Sequence, residues 1–267
     1  MENNIPISIV TIVYNDVLNI EKTIMSILNQ NIKNLEYIII DGGSMDGTVD
    51  IIRKYDTSIS YWVSEKDNGI VDAFNKGIMK ARGKVIGLVN SADFLEPYTL
   101  KKVSEIFTSS NTDIVYGKMQ YWKDGEKEYV YKANHKLLTK FMSLNHPAVF
   151  VKKDMYDQYG LFDDTYRVAM DYDLLLRFYS KGAKFEYIDS ILSNMTLGGI
   201  SDLNWKLAYR ESFDIRKKYF GSSISLYASY LWQIIKRYVS NTVDKLGLPG
   251  IKKFFRTYFS SIQKEKS

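Results

Sequence analysis

Apolar and polar positions alternate in a steady rhythm over residues 1–110. Ile7 to Val13 is a β-branched run that predicts a buried strand, broken by Tyr14-Asn15-Asp16. Asn19 then stands as an N-cap before Ile20, Ile24, Ile27 and Leu28, which share one helical face. Leu35 to Ile40 predicts a second strand, closed by Asp41-Gly42-Gly43-Ser44-Met45-Asp46-Gly47-Thr48, and a helix through Val49, Ile52 and Arg53. Ser60 to Ser64 predicts a third strand, closed by Glu65-Lys66-Asp67-Asn68-Gly69. Ile70, Ala73, Phe74, Gly77, Ile78 and Ala81 then mark an amphipathic helix with Gly83 as its expected C-cap. Val85 to Val89 is the fourth strand; it stops at Asn90-Ser91-Ala92-Asp93, and Pro97 opens the next helix. Four strand–helix repeats predict a mostly parallel α/β sheet with right-handed crossovers. They also gather four polar strand ends on one edge, where open α/β sheets bind ligands.

Past Asp113 the rhythm changes. Met119 to Trp122 and Lys127 to Tyr131 flank Asp124-Gly125, a hairpin signal, so antiparallel strands extend the sheet from about residue 111. Asn145 to Val151 is a short strand with a polar head, and Lys153 to Tyr159 is a helix ended by Gly160. Asp171 and Asp173 open a further helix at its positive end, Lys184 to Ile188 is a strand, and Thr196 to Ser201 is a flexible loop. From Ile224, helical spacing resumes through Tyr227, Ala228, Leu231, Ile234, Ile235, Tyr238 and Val239, until Gly247-Leu248-Pro249-Gly250 breaks it. Ile251, Phe254, Phe255, Tyr258, Phe259 and Ile262 then form an apolar face, with Lys252, Lys253, Arg256 and Lys264 off it. A basic amphipathic helix of this kind is expected to lie on a membrane surface, or else to pack against the core or a second copy of the chain. The chain divides into parts 1–110, 111–220 and 221–267.

Composition narrows the chemistry. Cysteine is absent among 267 residues, which excludes disulfides, thiolate metal sites and a cysteine nucleophile and suits a reducing compartment. Two histidines, His135 and His146, cannot build a multi-histidine zinc site. The net charge of +5 concentrates in the tail beside no base-reading module, so no nucleic-acid partner is expected. No stretch reaches the ~20 apolar residues that span a bilayer. No export-signal pattern precedes the first strand, and a cytoplasmic protein is expected.

Seven stretches stand in a telling order: Thr11-Ile12-Val13-Tyr14-Asn15; Asp41 to Thr48; Glu65 to Gly77; Gly87 to Asp93; His146 to Phe150; Asp171 to Arg177; and Gly198-Gly199-Ile200-Ser201. Together the chain resembles the inverting GT-A glycosyltransferases of family 2, in the bacterial branch that builds capsule, O-antigen and other exopolysaccharides. The resemblance covers roughly residues 5–205. It implies a Rossmann-like sheet with helices on both faces, and transfer of a hexose from a nucleotide sugar, UDP-linked above all, to a lipid-linked or oligosaccharide acceptor. It further implies a peripheral place at the inner face of the cell membrane.

By that resemblance, Asp41 accepts the base's imide N–H, and the backbone of Thr11, Val13, Tyr14 and Asn15 cradles the base. Gly43, with Gly42, lets the chain pass close to the ligand. Asp67, Asp72, Asn75 and Lys76 reach ribose or phosphate, and Asn90, Ser91 and Ser201 complete the donor site. Asp171 is the general base, with His146, Asp173 and Arg177 toward the acceptor. Asp173 and Arg177 also stand at i, i+4, where they can pair. Family members hold Mn²⁺ or Mg²⁺ by an acidic motif after the fourth strand, and here its third position is Ala92, beside Asp93. An alanine cannot coordinate metal. Three explanations follow: an introduced inactivating change, a natural variant in which Asp93 takes over, or a non-catalytic nucleotide-sugar-binding relative acting as a partner subunit. A nucleotidyltransferase is a further alternative, but it would want a glycine-rich basic loop where Thr11 to Asp16 stands.

Overall fold

The computed structural model describes residues 5–199, 203–245 and 264–265. Strand β1 (Ile7–Val13) lies between two parallel neighbours, β2 (Leu35–Asp41) and β4 (Val85–Asn90), and β3 (Tyr61–Ser64) continues in parallel beyond β2. Every β1 residue is buried, as expected of a strand covered on both faces, and its sequence is apolar apart from Ser8 and Thr11 for that reason. Register brings the carboxyl ends level: Val13 opposite Asp41, Ile12 opposite Asn90, and Asp41 opposite Ser64. Helices α1 (Ile20–Leu28), α2 (Thr48–Lys54) and α3 (Ile70–Lys80) connect these strands.

Beyond these parallel strands the sheet is mixed, as the hairpin signal past Asp113 predicts. Strand β5 (Phe94–Leu95) leads into helix α4 (Thr99–Ser109). Strands β6 (Ile114–Lys123) and β7 (Glu126–Tyr131) form the hairpin expected around Asp124-Gly125. Strand β8 (Val149–Lys152) runs antiparallel between β4 and β6, and so delivers its own head to the carboxyl end of β4. Helices α5 (Lys153–Tyr159) and α6 (Met170–Ser180) follow. Strand β9 (Phe185–Thr196) pairs parallel with β6 and antiparallel with β5. It outruns the predicted 184–188 because register shifts around Lys118 absorb the polar Asp189-Ser190 without ending the ladder.

Two helices close the described chain, α7 (Trp205–Phe220) and α8 (Ile224–Lys245), and a short β10 (Lys264–Glu265) adds to β7. The amphipathic stretch 251–262 lies outside the described residues. Gly83 is not a helix cap, since Ala81 takes that place in extended conformation. A Cβ on Gly83 would stand 2.6 Å from the backbone nitrogen of Ser8, so glycine is required for close approach to β1. One continuous core runs from Ile7 to Ile215. No described helix is long and apolar enough to cross a membrane.

Candidate active site

The loops that follow β1 and β2 mostly satisfy one another. Asp41 is fully buried, and its carboxylate accepts from Gly43 N–H (3.1 Å), Ser44 N–H (2.9 Å), the Ser64 hydroxyl (2.6 Å) and the Ser44 hydroxyl. Three of these donors fall on Oδ2 and one on Oδ1, so Asp41 shapes the loop. Asn15, in the left-handed region at φ 49°, clasps the same loop: its N–H donates to Ser44 Oγ (2.7 Å) and its Oδ1 accepts from Met45 N–H (2.8 Å). Thr11 is also fully buried, its hydroxyl accepting from Tyr37, so it belongs to the core and not to a cradle. Val13 contributes its carbonyl, which accepts from Gly42 N–H at 2.9 Å.

A different set faces outward. Tyr14 is 64 % exposed. A Cβ on Gly42 would lie 2.7 Å from Asp67 Oδ2 and 3.3 Å from the Tyr14 ring, so only glycine lets the Asp67 carboxylate and the Tyr14 ring pack this closely over the chain. Asp67 Oδ1 accepts from Gly69 N–H, which leaves Oδ2 toward Gly42. Lys76 bonds Glu65 (2.8 Å) and Asp72 (3.3 Å); these partners hold its ammonium above the usual lysine range against the opposing effect of desolvation. Asp72 is held below the carboxylate range by Asn68 N–H and Lys76. Asn75 is spent elsewhere. Its amide donates to the carbonyl and accepts from the N–H of Phe162, both at 3.0 Å, tying α3 to that segment and correcting the ribose assignment.

The second cluster forms where the head of β8 meets the end of β4. Asn90 Nδ2 donates to Asp93 Oδ2 (2.9 Å) and lies 3.0 Å from His146 Nε2. An amide donor on Nε2 assigns the ring proton to Nδ1, which faces Asp171 Oδ2 at 3.7 Å. Asp171 sits in the first turn of α6, partly exposed, with its other oxygen accepting from Tyr172 N–H. Phe74 meets the His146 ring edge-on at 5.8 Å. Asp93, Asn90, His146 and Asp171 thus make one row across the sheet edge.

Asp93 and Ala92 point in opposite senses. Ala92 is exposed, whereas Asp93 is 3 % exposed and its carboxyl is pushed up to about 6 by burial, against the pull of His146 and Asn90. The loop is pinned by the Thr23 hydroxyl against the carbonyls of Ser91 and Asp93, and by the Ser91 hydroxyl on Asp16. These residues do not fit a protein-held Mn²⁺ or Mg²⁺ centre: the outward position carries a methyl, and the one carboxylate of the motif is turned inward and bonded. Among the described residues, no three His, Cys, Asp or Glu side chains form a metal-holding group.

Asp173 and Arg177 do not reach an acceptor site. Asp173 is fully buried and bonded by Arg177 (2.8 Å), Lys218 (3.1 Å) and Tyr219 (3.2 Å), and Arg177 also donates to the carbonyls of Tyr159 and Leu161. The i, i+4 pair is what their spacing builds. Ser201 lies outside the described residues. Asp16 and Thr23 carry no local sign of their role in holding the 90–93 loop, since their partners are 75 and 68–70 residues away.

The family model described as Glycosyl transferase family 2 matches residues 8–170. The chain belongs to this family. An uncharacterized glycosyltransferase of Mycobacterium tuberculosis is 28% identical over 182 residues, spanning 64% of this chain and 68% of that protein. The hyaluronan synthase of Pasteurella multocida is 28% identical over 214 residues, 74% of this chain but 21% of the synthase. Solved structures share its fold. S. aureus TarS 1–349 in complex with UDP-GlcNAc superposes with a TM-score of 0.64 at 16% identity, over 96% of this chain and 76% of that one. A mannosyltransferase from Pyrobaculum calidifontis in complex with GDP-Man and Mn²⁺ does so at 0.65 and 11% identity, over 97% and 82%. These likenesses establish the GT-A fold.

Proposed function

We propose that the chain transfers a sugar, with inversion, from a UDP-sugar to a hydroxyl of a lipid-linked or growing glycan, in the synthesis of a surface polysaccharide such as capsule or O-antigen. The observation that carries this is the gathering, on one sheet edge, of the exposed Tyr14 ring and the Asp67 carboxylate beside Gly42 with a solvent-reaching Asp171 beside His146. The exposed Tyr14 ring offers a face for the nucleobase, and Asp67 offers an acceptor for the nucleotide. Asp171 takes the proton of the acceptor hydroxyl as that oxygen attacks the anomeric carbon. The anomeric carbon–oxygen bond breaks opposite, and its electron pair leaves with UDP. His146, its proton on Nδ1, orients the Asp171 carboxylate. No step in this reading runs through a metal ion. The UDP and UDP-GlcNAc complexes of S. aureus TarS, and the polysaccharide products named for the Pasteurella relatives, support the donor and the pathway class.

Helix α8 supports a place at the membrane surface. Ile224, Tyr227, Leu231, Ile235 and Tyr238 are exposed at helical spacing, with Trp232 beside them and Lys236 and Arg237 on the same helix. Deleting 224–267 is expected to release the protein from anionic liposomes, whereas equal binding by the truncated chain would favour packing against a second copy. The transfer itself is tested by incubating the full chain with UDP-GlcNAc, UDP-glucose, UDP-galactose and UDP-glucuronate and measuring UDP release. Release from one donor, increased by a glycan acceptor, is expected. UDP binding with no release from any donor would favour the non-catalytic partner subunit.

A further inference from the structure

No local pattern marks Glu211. It lies on α7, a helix that the apolar spacing does not predict, and it is buried. Its carboxylate accepts three backbone N–H groups, from Arg167 (2.9 Å), Val168 (2.9 Å) and Ala169 (2.8 Å). Those groups lead directly into α6, whose N-cap is Ala169, a residue with no side chain to cap the helix. Helices ordinarily satisfy their first N–H groups with a nearby Ser, Thr, Asp or Asn. Here a carboxylate 42 residues further along the chain bonds the N-cap N–H of Ala169 and the two N–H groups before it, with its charge at the positive end of the helix. A buried acid is costly unless it is bonded this fully.

The same face of α7 makes a second grip. Ile215, at i+4 from Glu211, is fully buried; Lys218 and Tyr219, at i+7 and i+8, bond Asp173 Oδ1 at 3.1 and 3.2 Å. Burial alone would lower the Lys218 ammonium, yet the hydrogen bond and charge of Asp173 hold it above the lysine range. Helix α7 therefore holds the backbone just before Asp171 and the side chain just after it. We infer that Glu211 is a positioning residue that acts through Asp171, by fixing the turn from which that carboxylate faces His146. The inference rests on the proposed role of Asp171 as general base.

The test uses the full chain with E211Q, D171N and the double variant, with UDP as the binding probe and the four UDP-sugars above as donors. A misplacement of about 1 Å costs on the order of 10²-fold in rate. E211Q is expected to lose about that much in kcat, while KM for the donor and the affinity for UDP stay within about twofold. Because the loss passes through Asp171, the double variant is expected to be no slower than D171N alone. A kcat for E211Q within about twofold of the wild type, or losses that multiply in the double variant, would overturn the inference. Should E211Q not fold, E211D keeps the charge on a shorter arm and the same loss is expected; a wild-type rate there would also overturn it. If the wild type releases UDP from no donor, the transfer reading fails, and amide exchange decides the clamp separately. Exchange at 167–169 at least about tenfold faster in E211Q supports the clamp, and unchanged exchange sinks it.

Discussion

The proposed donor half of the edge and the proposed base half are held together by different means. After β1 and β2, two neighbouring loops satisfy each other: Asp41 holds Gly43 and Ser44, Asn15 holds Ser44 and Met45, and Asp46 holds Val17 and Thr48. At the head of α6 almost nothing local holds Asp171 apart from the Tyr172 N–H, and Glu211, Lys218 and Tyr219 arrive from a distant helix. A nucleotide site can be rigid and built once from backbone turns. A base must meet a variable acceptor, and its helix is set by whatever packs behind it. The two carboxylates nearest the row show the same division: Asp171 is open to solvent, while Asp93 is buried, with its carboxyl raised.

That division can be broken experimentally. The largest expected effect concerns Asp93. Its carboxyl, raised from the usual value to about 6, keeps its proton in the folded state between about pH 4 and 6 while the unfolded chain has released it. Stability therefore falls as pH rises through that window and stays lower above it, by at most about 3 kcal/mol. D93N removes the cost, so its melting temperature is expected to exceed the wild type's at pH 7.5 and to converge with it near pH 4. Equal melting temperatures at pH 7.5 would mean that Asp93 is not strained by burial.

Ala92 offers a sharper, smaller contrast. A carboxylate at that exposed position would give the diphosphate edge the ligand it lacks, so A92D is expected to tighten UDP binding in Mn²⁺ relative to EDTA by about tenfold or more, as metal-site changes commonly do. The wild type is expected to show little such difference; a strong Mn²⁺ dependence there would contradict the reading of the 90–93 loop. Asn75 gives a contrast in stability alone. N75A loses both bonds to Phe162 and is expected to destabilise the chain by about 1–3 kcal/mol in a denaturant melt. UDP affinity should hardly change, and a large loss of affinity would restore Asn75 to the donor site.

Strands β1, β2 and β4 were legible as largely buried apolar runs ended by polar residues and β3 as a short aromatic run, and parallel order follows from alternation with helices. The edge was legible for the same reason, and His146 and Asp171 were found through the family resemblance. What was not legible depends on distance. The full burial of Asp41 and Thr11 is invisible in a motif, and the bond of Asn75 to Phe162 spans 87 residues. Helix α7 escapes the apolar pattern because only Glu211 and Ile215 on it are buried, and its packing face continues through Lys218 and Tyr219, which bond Asp173. Gly83 reads as a cap until the closeness of Ser8 is known.

The division of labour between the halves is tested most directly by measuring UDP affinity and UDP-sugar turnover side by side in the wild type and D171N. The expected result is an unchanged UDP affinity with transfer slowed by about 10²–10⁴-fold, the usual contribution of a general base. D171N that transfers sugar at the wild-type rate, or that loses UDP binding together with transfer, would contradict it.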